Sequence, residues 1–477
     1  MNEPLFNRTK IIATIGPACS ALSNLEKMMR AGMDVARLNF SHGNRKFHKE
    51  VIDRIRALNK KCKVHIGIMA DLQGPKLRVG EMAGGKIFLK KGADILITSR
   101  VCEGTEKKIF VNYAPLAIDL KTGERILLDD GKIELLVTEI VNDHSVRAKI
   151  IFGGELSSHK GFNLPDSILS ITAFTKKDLD DLDFIIKEKV EWIALSFVRK
   201  PEDVFLIRNI LKKKKSDAKL IAKIEKPEAV KNIDGIIAAS DAVMVARGDL
   251  GVEIALEEVP IIQKQIVRKC LDETKPVIIA TQMMESMINN STPTRAEAND
   301  VSNAVMDGAD AVMLSGETSI GKHPVRVVET MQRIIAAAEN QSSIFNRERE
   351  PGLTSETYLS DEVCFTACRL AENLGAKGIT GMTVSGYTAF KLASFRPRAG
   401  IFIFTGKTFF LNTLSLLWGV RGFFYNKYET TDHTIEDVNN ILLEAGFVQK
   451  GDIVVNTASM PIREKQRTNT IKISRLK

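Results

Sequence analysis

Residues 219–251 read KLIAKIEKPEAVKNIDGIIAASDAVMVARGDLG. A helical segment separates two short apolar runs, each closing in charged residues. In an extended chain Lys219, Ile221, Lys223 and Glu225 share one face, which sets an ammonium and a carboxylate side by side at the strand's C-terminal end. The second run, Ala242–Ala246, leads into Arg247-Gly248-Asp249 and so brings a second carboxylate. Two carboxylates beside a Lys and an Arg at strand exits suit a divalent cation that holds an anionic substrate. A solvated strand-to-loop turn would use the same residue types, and the flanking chain decides between them.

Upstream, KIIATIGP (10–17) is a short apolar run closed by Gly-Pro, a buried strand. A helical pattern over Leu25–Arg30 leads to a second strand at Val35–Phe40, where Arg37, Asn39 and Ser41 share a face that needs polar partners. A helix at about Phe47–Lys60 and a third strand, His65–Asp71, follow. Strand and helix in alternation, with chemistry at the strand ends, begin a β/α barrel. The pattern then changes: residues 76–164 carry short alternating runs and Gly-rich turns with no helix of useful length, which predicts an inserted, antiparallel β-domain. After it come a helix at Ala173–Lys189, a strand at Glu191–Val198, the two strands of residues 219–251, and a helix at Val259–Glu273. Lys275–Met283 and Ala311–Thr318 complete eight strands. Residues 341–355 are polar and read as a linker. Asp361–Lys477 again alternates helices and strands as a separate α/β domain, whose Thr383-Val384-Ser385-Gly386-Tyr387-Thr388 turn precedes a helix. That turn forms either a phosphate nest or an ordinary hydroxyl cap.

The chain has 477 residues, a net charge of +9 and 44% hydrophobic residues, enough for two to four domains. No basic stripe interleaved with aromatics points to nucleic acid, and anionic small substrates account for the surplus charge equally well. No uncharged apolar run is long enough for a membrane span, and the N-terminus has no apolar leader core. Six cysteines are scattered, with only Cys364 and Cys368 close together, as expected for a reducing cytoplasm.

With these segments in view, the chain resembles the pyruvate kinase family along nearly its whole length. The matching stretches are 10–17, VARLNFSHG (35–43), IAKIEKPEAV (221–230), VMVARGDLGVEI (243–254), ATQMMESMI (280–288), PTRAEANDVSNAV (293–305) and AVMLSGET (311–318). The resemblance implies a (β/α)8 TIM barrel formed by residues 1–74 and 166–345, an inserted small β-barrel domain at 75–165 acting as a lid, and a C-terminal α/β regulatory domain at 346–477. No helical extension is expected ahead of the barrel. The reaction implied is phosphoryl transfer from phosphoenolpyruvate to ADP, giving pyruvate and ATP. By similarity, Arg37 and Lys223 face the moving phosphoryl group, Glu225 and Asp249 hold Mg²⁺ (or Mn²⁺), and Gly248, Asp249 and Thr281 grip the substrate. Thr281 or a water chain returns a proton to the enolate. Asn39, Phe40, Ser41, His42, Arg78 and Lys160 surround the nucleotide. Familiar members hold K⁺ at positions matching Asn39, Ser41, Asp71 and Leu72, with Thr in place of Leu72 and Glu in place of Lys76. Here Leu72 brings no hydroxyl and Lys76 brings a fixed ammonium, so the segment resembles the K⁺-independent branch. Thr383, Ser385, Gly386 and Thr388 match a loop that binds phosphorylated effectors, and the family is usually a homotetramer. Two other classes compete. A metal-dependent lyase or mutase acting on pyruvate-like enolates would have no use for Arg78 and Lys160, and a catalytically dead barrel should miss a metal ligand or the lysine, whereas Lys223, Glu225, Asp249, Arg37 and Thr281 are all present.

Overall fold

The computed structural model describes residues 7–346, 356–383, 385–427, 430–461 and 467–477. Eight parallel strands close a barrel, formed by Lys10–Thr14, Val35–Asn39, Gly67–Asp71, Trp192–Leu195, Lys219–Ile224, Ala242–Ala246, Val277–Ala280 and Ala311–Leu314. Each pairs with its neighbour in chain order, and Lys10–Ala13 pairs with Ala311–Leu314 to shut the cylinder. All eight expected strands are present, several of them shorter than expected. Their C-terminal residues leave the ladder and turn into the barrel mouth, where functional side chains of such barrels collect.

The alternation expected in residues 219–225 is observed. Ile221 packs inside the cylinder with Ile12, Met69, Trp192, Met244 and Ile278. Leu220, Ala222 and Ile224 face the surrounding helices. At the barrel floor the Trp192 indole donates to the Thr413 carbonyl at 3.1 Å, so the C-terminal unit seals that end.

Residues between the third and fourth barrel strands form an all-β unit with its own apolar core, centred on Ile95, Ile97, Ile126, Leu135 and Ala148. Its strands wrap that core as one six-stranded and one two-stranded sheet. Pairing is antiparallel throughout, apart from Asp94–Thr98 against Lys108–Phe110, which run parallel. The chain leaves the barrel through Gly74, which has φ +68°; a Cβ there would lie 2.7 Å from the Phe197 ring. Only glycine takes that exit without moving the neighbouring strand end.

The C-terminal unit is a five-stranded sheet in the order Val420–Phe424, Gly400–Thr405, Gly378–Met382, Ile453–Ala458, Thr470–Arg475, with only the last strand antiparallel. Cys364 and Cys368 are buried in its core on the helix Tyr358–Asn373. The expected linker at 341–355 is described only up to Asn346, and its charged run lies outside the described residues. Among the described residues, no helix is long and apolar enough to cross a membrane.

Candidate active site at the barrel mouth

Five strand ends converge on a buried charge network. The Arg37 guanidinium, on the second strand, donates through Nε to Asp71 Oδ2 at 2.8 Å and through its NH1 nitrogen to Thr14 Oγ1 at 2.9 Å. Lys223 Nζ lies 3.2 Å from Asp71 Oδ1 and 2.8 Å from Glu225 Oε1, and it donates to Ser196 Oγ at 2.7 Å. Asp71 and Glu225 are each 1% exposed, Arg37 and Lys223 each 8%. Ions this deep persist only when paired and hydrogen-bonded; Arg37, Asp71 and Lys223 each have partners at two other strand exits, and Glu225 is held by Lys223 and by the Phe197 N–H at 2.8 Å.

The titration behaviour follows from that geometry. Burial would lower the Lys223 pKa, but the Asp71 and Glu225 carboxylates outweigh it and hold the ammonium charged. Burial would raise Asp71, yet Lys223 and Arg37 together bring its carboxyl below the ordinary range. Glu225 is pushed up by burial and by the Asp249 carboxylate, against the pull of Lys223. The mouth therefore holds an excess of poorly solvated negative charge around Glu225 and Asp249, which is the electrostatic condition for taking up a cation.

Beside this network, Arg247–Glu253 forms a short helix and presents Asp249 in its first turn. Asp249 accepts no hydrogen bond and makes no ion pair among the described residues, so its carboxylate is free to ligate. The Gly248 N–H donates to Thr281 Oγ1 at 2.7 Å, and the Thr281 hydroxyl donates to the Ala280 carbonyl at 2.6 Å. Thr281 and Gln282 sit in the left-handed region, at φ 70° and 55°. That conformation is strained for a β-branched residue, and such strain collects at functional sites. Arg247 holds it in place, with one guanidinium nitrogen donating to Asp300 Oδ1 at 2.7 Å and the other to the Thr281 carbonyl at 2.7 Å.

The structure brings Arg37, Asp71, Leu72, Lys223 and Glu225 together through direct contacts and hydrogen bonds shared with Ser196, with Gly248, Asp249 and Thr281 as their neighbours. Asn39 and Ser41 form a turn at the same rim, with Asn39 Oδ1 accepting the Ser41 N–H at 3.0 Å. His42 titrates below its ordinary value because it is partly desolvated and lies near the charges of Lys76, Arg78 and Arg37. The Phe40 side chain is buried and stacks on His48 at 4.3 Å; its N–H donates to the Asp71 carbonyl at 2.9 Å and its carbonyl accepts from Lys177 Nζ at 2.7 Å. Lys160, on the inserted unit, pairs with Asp129 at 2.8 Å. In the C-terminal unit, Thr383 Oγ1 accepts the Gly386 N–H at 2.8 Å and the Thr388 hydroxyl meets that of Thr468 at 2.7 Å. Two hydroxyls of that loop are thus engaged within the unit, and the helix Tyr387–Ser394 starts at Gly386 with no side-chain cap; Ser385 Oγ accepts the Tyr387 N–H at a long 3.5 Å. Val384 lies outside the described residues.

One contributor was not picked out from sequence: Ser196 ties Lys223 to the Leu72 carbonyl, which it reaches at 2.8 Å, and a hydroxyl at the exit of a barrel strand was the available signal for it. Arg247, read from the sequence as a cation beside the carboxylates, spends its guanidinium on Asp300 and the Thr281 carbonyl and so supports the Thr281 turn.

A parallel barrel with cations and carboxylates crowded at its C-terminal mouth, next to an inserted β-unit that carries Arg78 and Lys160, defines a barrel enzyme that handles anionic substrates. Comparison with known proteins is specific. A profile described as the pyruvate kinase barrel domain matches residues 6–328, and one described as the pyruvate kinase alpha/beta domain matches residues 361–474. The chain is 42% identical over 473 residues to a pyruvate kinase of Mycobacterium tuberculosis (strain H37Rv), covering 99% of both. It is 43% identical to one of Staphylococcus epidermidis (strain RP62A), covering 98% of this chain and 80% of that one. The crystal structure of a pyruvate kinase from Cryptosporidium parvum superimposes with a TM-score of 0.92 at 34% identity, covering 99% and 96% of the two chains. The chain belongs to the pyruvate kinase family and is an enzyme of the phosphotransferase class.

Proposed function

We propose that this enzyme moves the phosphoryl group of phosphoenolpyruvate to ADP, using Mg²⁺ and needing no K⁺. The observation that carries the first part is the Arg37–Asp71–Lys223–Glu225 network, set beside Asp249 and Thr281. Phosphoryl transfer asks for positioning and charge neutralisation more than covalent chemistry. Lys223, fixed by three partners, presents a permanent positive charge to the group in flight, and Arg37 supports it from the opposite strand. Thr281, with the peptide N–H groups around Gly248 and Asp249, orients the substrate carboxylate; the Gly248 N–H is already shared with Thr281, so the two act as one clamp. The Thr281 proton is committed to the Ala280 carbonyl, which favours a water chain as the route by which the enolate is protonated.

Glu225 and Asp249 fit a Mg²⁺ site, because two carboxylates completed by substrate oxygens and water are the usual donor set for that ion. When bound, Mg²⁺ would neutralise negative charge on the substrate's oxygens. Mn²⁺ suits the same donors. Arg78 and Lys160 lie near the two ends of residues 75–165, so movement of that unit as a lid would carry positive charge to the nucleotide phosphates and exclude water. The division into residues 1–74 with 166–345, 75–165 and 346–477 is part of this reading.

The K⁺ positions are supplied from within. Both Asp71 oxygens face Arg37 or Lys223, Asn39 Oδ1 takes the Ser41 N–H, and the Leu72 carbonyl accepts from Ser196. Lys76 adds a fixed charge to the same wall. ATP formation from phosphoenolpyruvate and ADP, assayed with Mg²⁺ in tetramethylammonium buffer, tests both parts. No ATP in any buffer would remove the activity, while a many-fold rise on adding K⁺ would remove only K⁺ independence. Lys76→Glu is expected to create K⁺ dependence. Homotetramer assembly, a cytoplasmic location and a phosphorylated effector at Thr383–Thr388 remain part of the proposal on family grounds. Hyperbolic kinetics that ignore sugar phosphates and nucleoside monophosphates would retire the effector.

A further inference from the structure

The barrel and the inserted unit meet at a buried three-residue contact. Asn163 ends the short strand Phe162–Asn163 through which the chain returns from the insert, and it pairs there with Leu127. Its amide Nδ2 donates to Glu253 Oε1 at 2.7 Å. The same carboxylate oxygen accepts from Lys226 Nζ at 2.5 Å, while the other, Oε2, is buried without a partner. Glu253 is 4% exposed and Lys226 6%. Each leg reaches a different part of the site. Glu253 closes the helix whose first turn holds Gly248 and Asp249. Lys226 directly follows Glu225. Asn163 lies three residues beyond Lys160, whose ammonium is latched to Asp129 on the insert.

A buried pair with one unsatisfied oxygen adds little net stability, since desolvation consumes most of the Coulomb gain. What the arrangement does supply is direction. A single oxygen carries both donors, so a swing of the insert about its root must stretch the Asn163 bond, drag Glu253, or both.

We infer that Glu253 is a positioning residue that couples the posture of the inserted unit to the substrate-facing helix, through Asn163 on one side and Lys226 on the other. This rests on the lid reading above. Occupancy at Asp249 and delivery of Lys160 then become interdependent: substrate that settles the Arg247–Glu253 helix also settles the root of the lid. The affinities for the two substrates should therefore be linked through a contact that touches neither.

An acid–amide exchange tests this. Asn163→Asp sets a carboxylate against the Glu253 carboxylate, and Asn163→Ala removes only the lid-side donor. The double variant Asn163→Asp/Glu253→Gln swaps acid and amide, leaving Lys226 facing one carboxylate. Expected for Asn163→Asp is a loss of at least about tenfold in kcat/KM for both phosphoenolpyruvate and ADP, with most of it recovered in the double variant. Asn163→Ala should move the same way by less. Amide hydrogen exchange at residues 159–164 should accelerate in the single variants and return in the double one, a response that simple loss of packing would not reverse. Additive losses, or a change in one substrate's KM with exchange at 159–164 unaltered, would overturn the inference. Wild-type enzyme run in the same assay separates the two levels: no ATP formation there refutes the activity, whereas an active wild type with additive variants refutes only the coupling.

Discussion

At Lys223 an ammonium that burial disfavours is kept charged by Asp71 and Glu225 and aimed by Ser196. Lys223→Met keeps much of the stem's volume and removes the charge. Turnover should fall about 10³-fold or more with secondary structure retained by circular dichroism; near-normal kcat would take the role away from this side chain. Asp71 carries a prediction about acid. Its carboxyl lies below the ordinary 3.8 in the fold. The folded state therefore favours its ionised form, and that contribution is complete above the unfolded value and fades as pH falls through the lower native one. Asp71→Asn should cost about 3–5 kcal/mol near neutrality, because Arg37 and Lys223 lose a buried partner, and the loss should shrink below about pH 4. Denaturant midpoints measured across that range would show it, and a loss independent of pH would contradict it. Lys223 and Glu225 were legible in the sequence because alternation within a strand fixes which side chains face together, and Asp249 because the next apolar run closes in a charged turn. Ser196 was not, since one serine after an apolar run has no periodic signature. Its role comes from the Leu72 carbonyl on a neighbouring strand.

The strand exits hold the site by bending the chain away from the ladder. The sequence reads the seventh strand, within Lys275–Met283, as ending near Thr281; the structure ends it at Ala280 and turns Thr281 and Gln282 left-handed. Apolar alternation cannot report a reversal that is maintained by a guanidinium on the preceding strand's exit. Arg247 is that guanidinium, and its planar fork spans Asp300 and the Thr281 carbonyl together, which a lysine cannot reproduce. Arg247→Lys should lower kcat/KM for phosphoenolpyruvate roughly 10²-fold, the order expected when a clamp shifts by about 1 Å. Steady-state kinetics beside a thermal melt would distinguish this from unfolding, and unchanged kinetics would free the turn from Arg247. The inserted unit shows the same limit on legibility. Its strands and Gly-rich turns were readable, but the parallel pairing of Asp94–Thr98 with Lys108–Phe110 was not, because strand direction is set by the connection and not by the pattern.

Across the whole molecule, the eight-strand count and the three-part organisation could be read from the chain, while the seam between barrel and C-terminal unit could not. Arg396, 1% exposed, donates to both Asp310 oxygens at 3.0 and 2.9 Å and to the Gly308 carbonyl at 2.8 Å, and it stacks over Trp418. These partners lie 86 and 88 residues away in sequence, beyond any local pattern. Arg396→Met should remove about 3–5 kcal/mol and split the melting of the two units into separate calorimetric transitions; one unbroken transition would mean the seam is held elsewhere. The placement of the inserted unit has a further consequence, for how the chain folds. The hydrogen bond from the Ile68 N–H to Glu191 joins barrel strands across 123 residues of chain, and closing so long a loop costs entropy before any contact repays it. An insert that collapses first on its own core draws residues 75 and 165 together and shortens the loop by about two doublings, worth about 1.2 kcal/mol. Before it is anything to a substrate, residues 75–165 are a clasp for the barrel, and weakening their core should slow the barrel's birth as well as its catalysis.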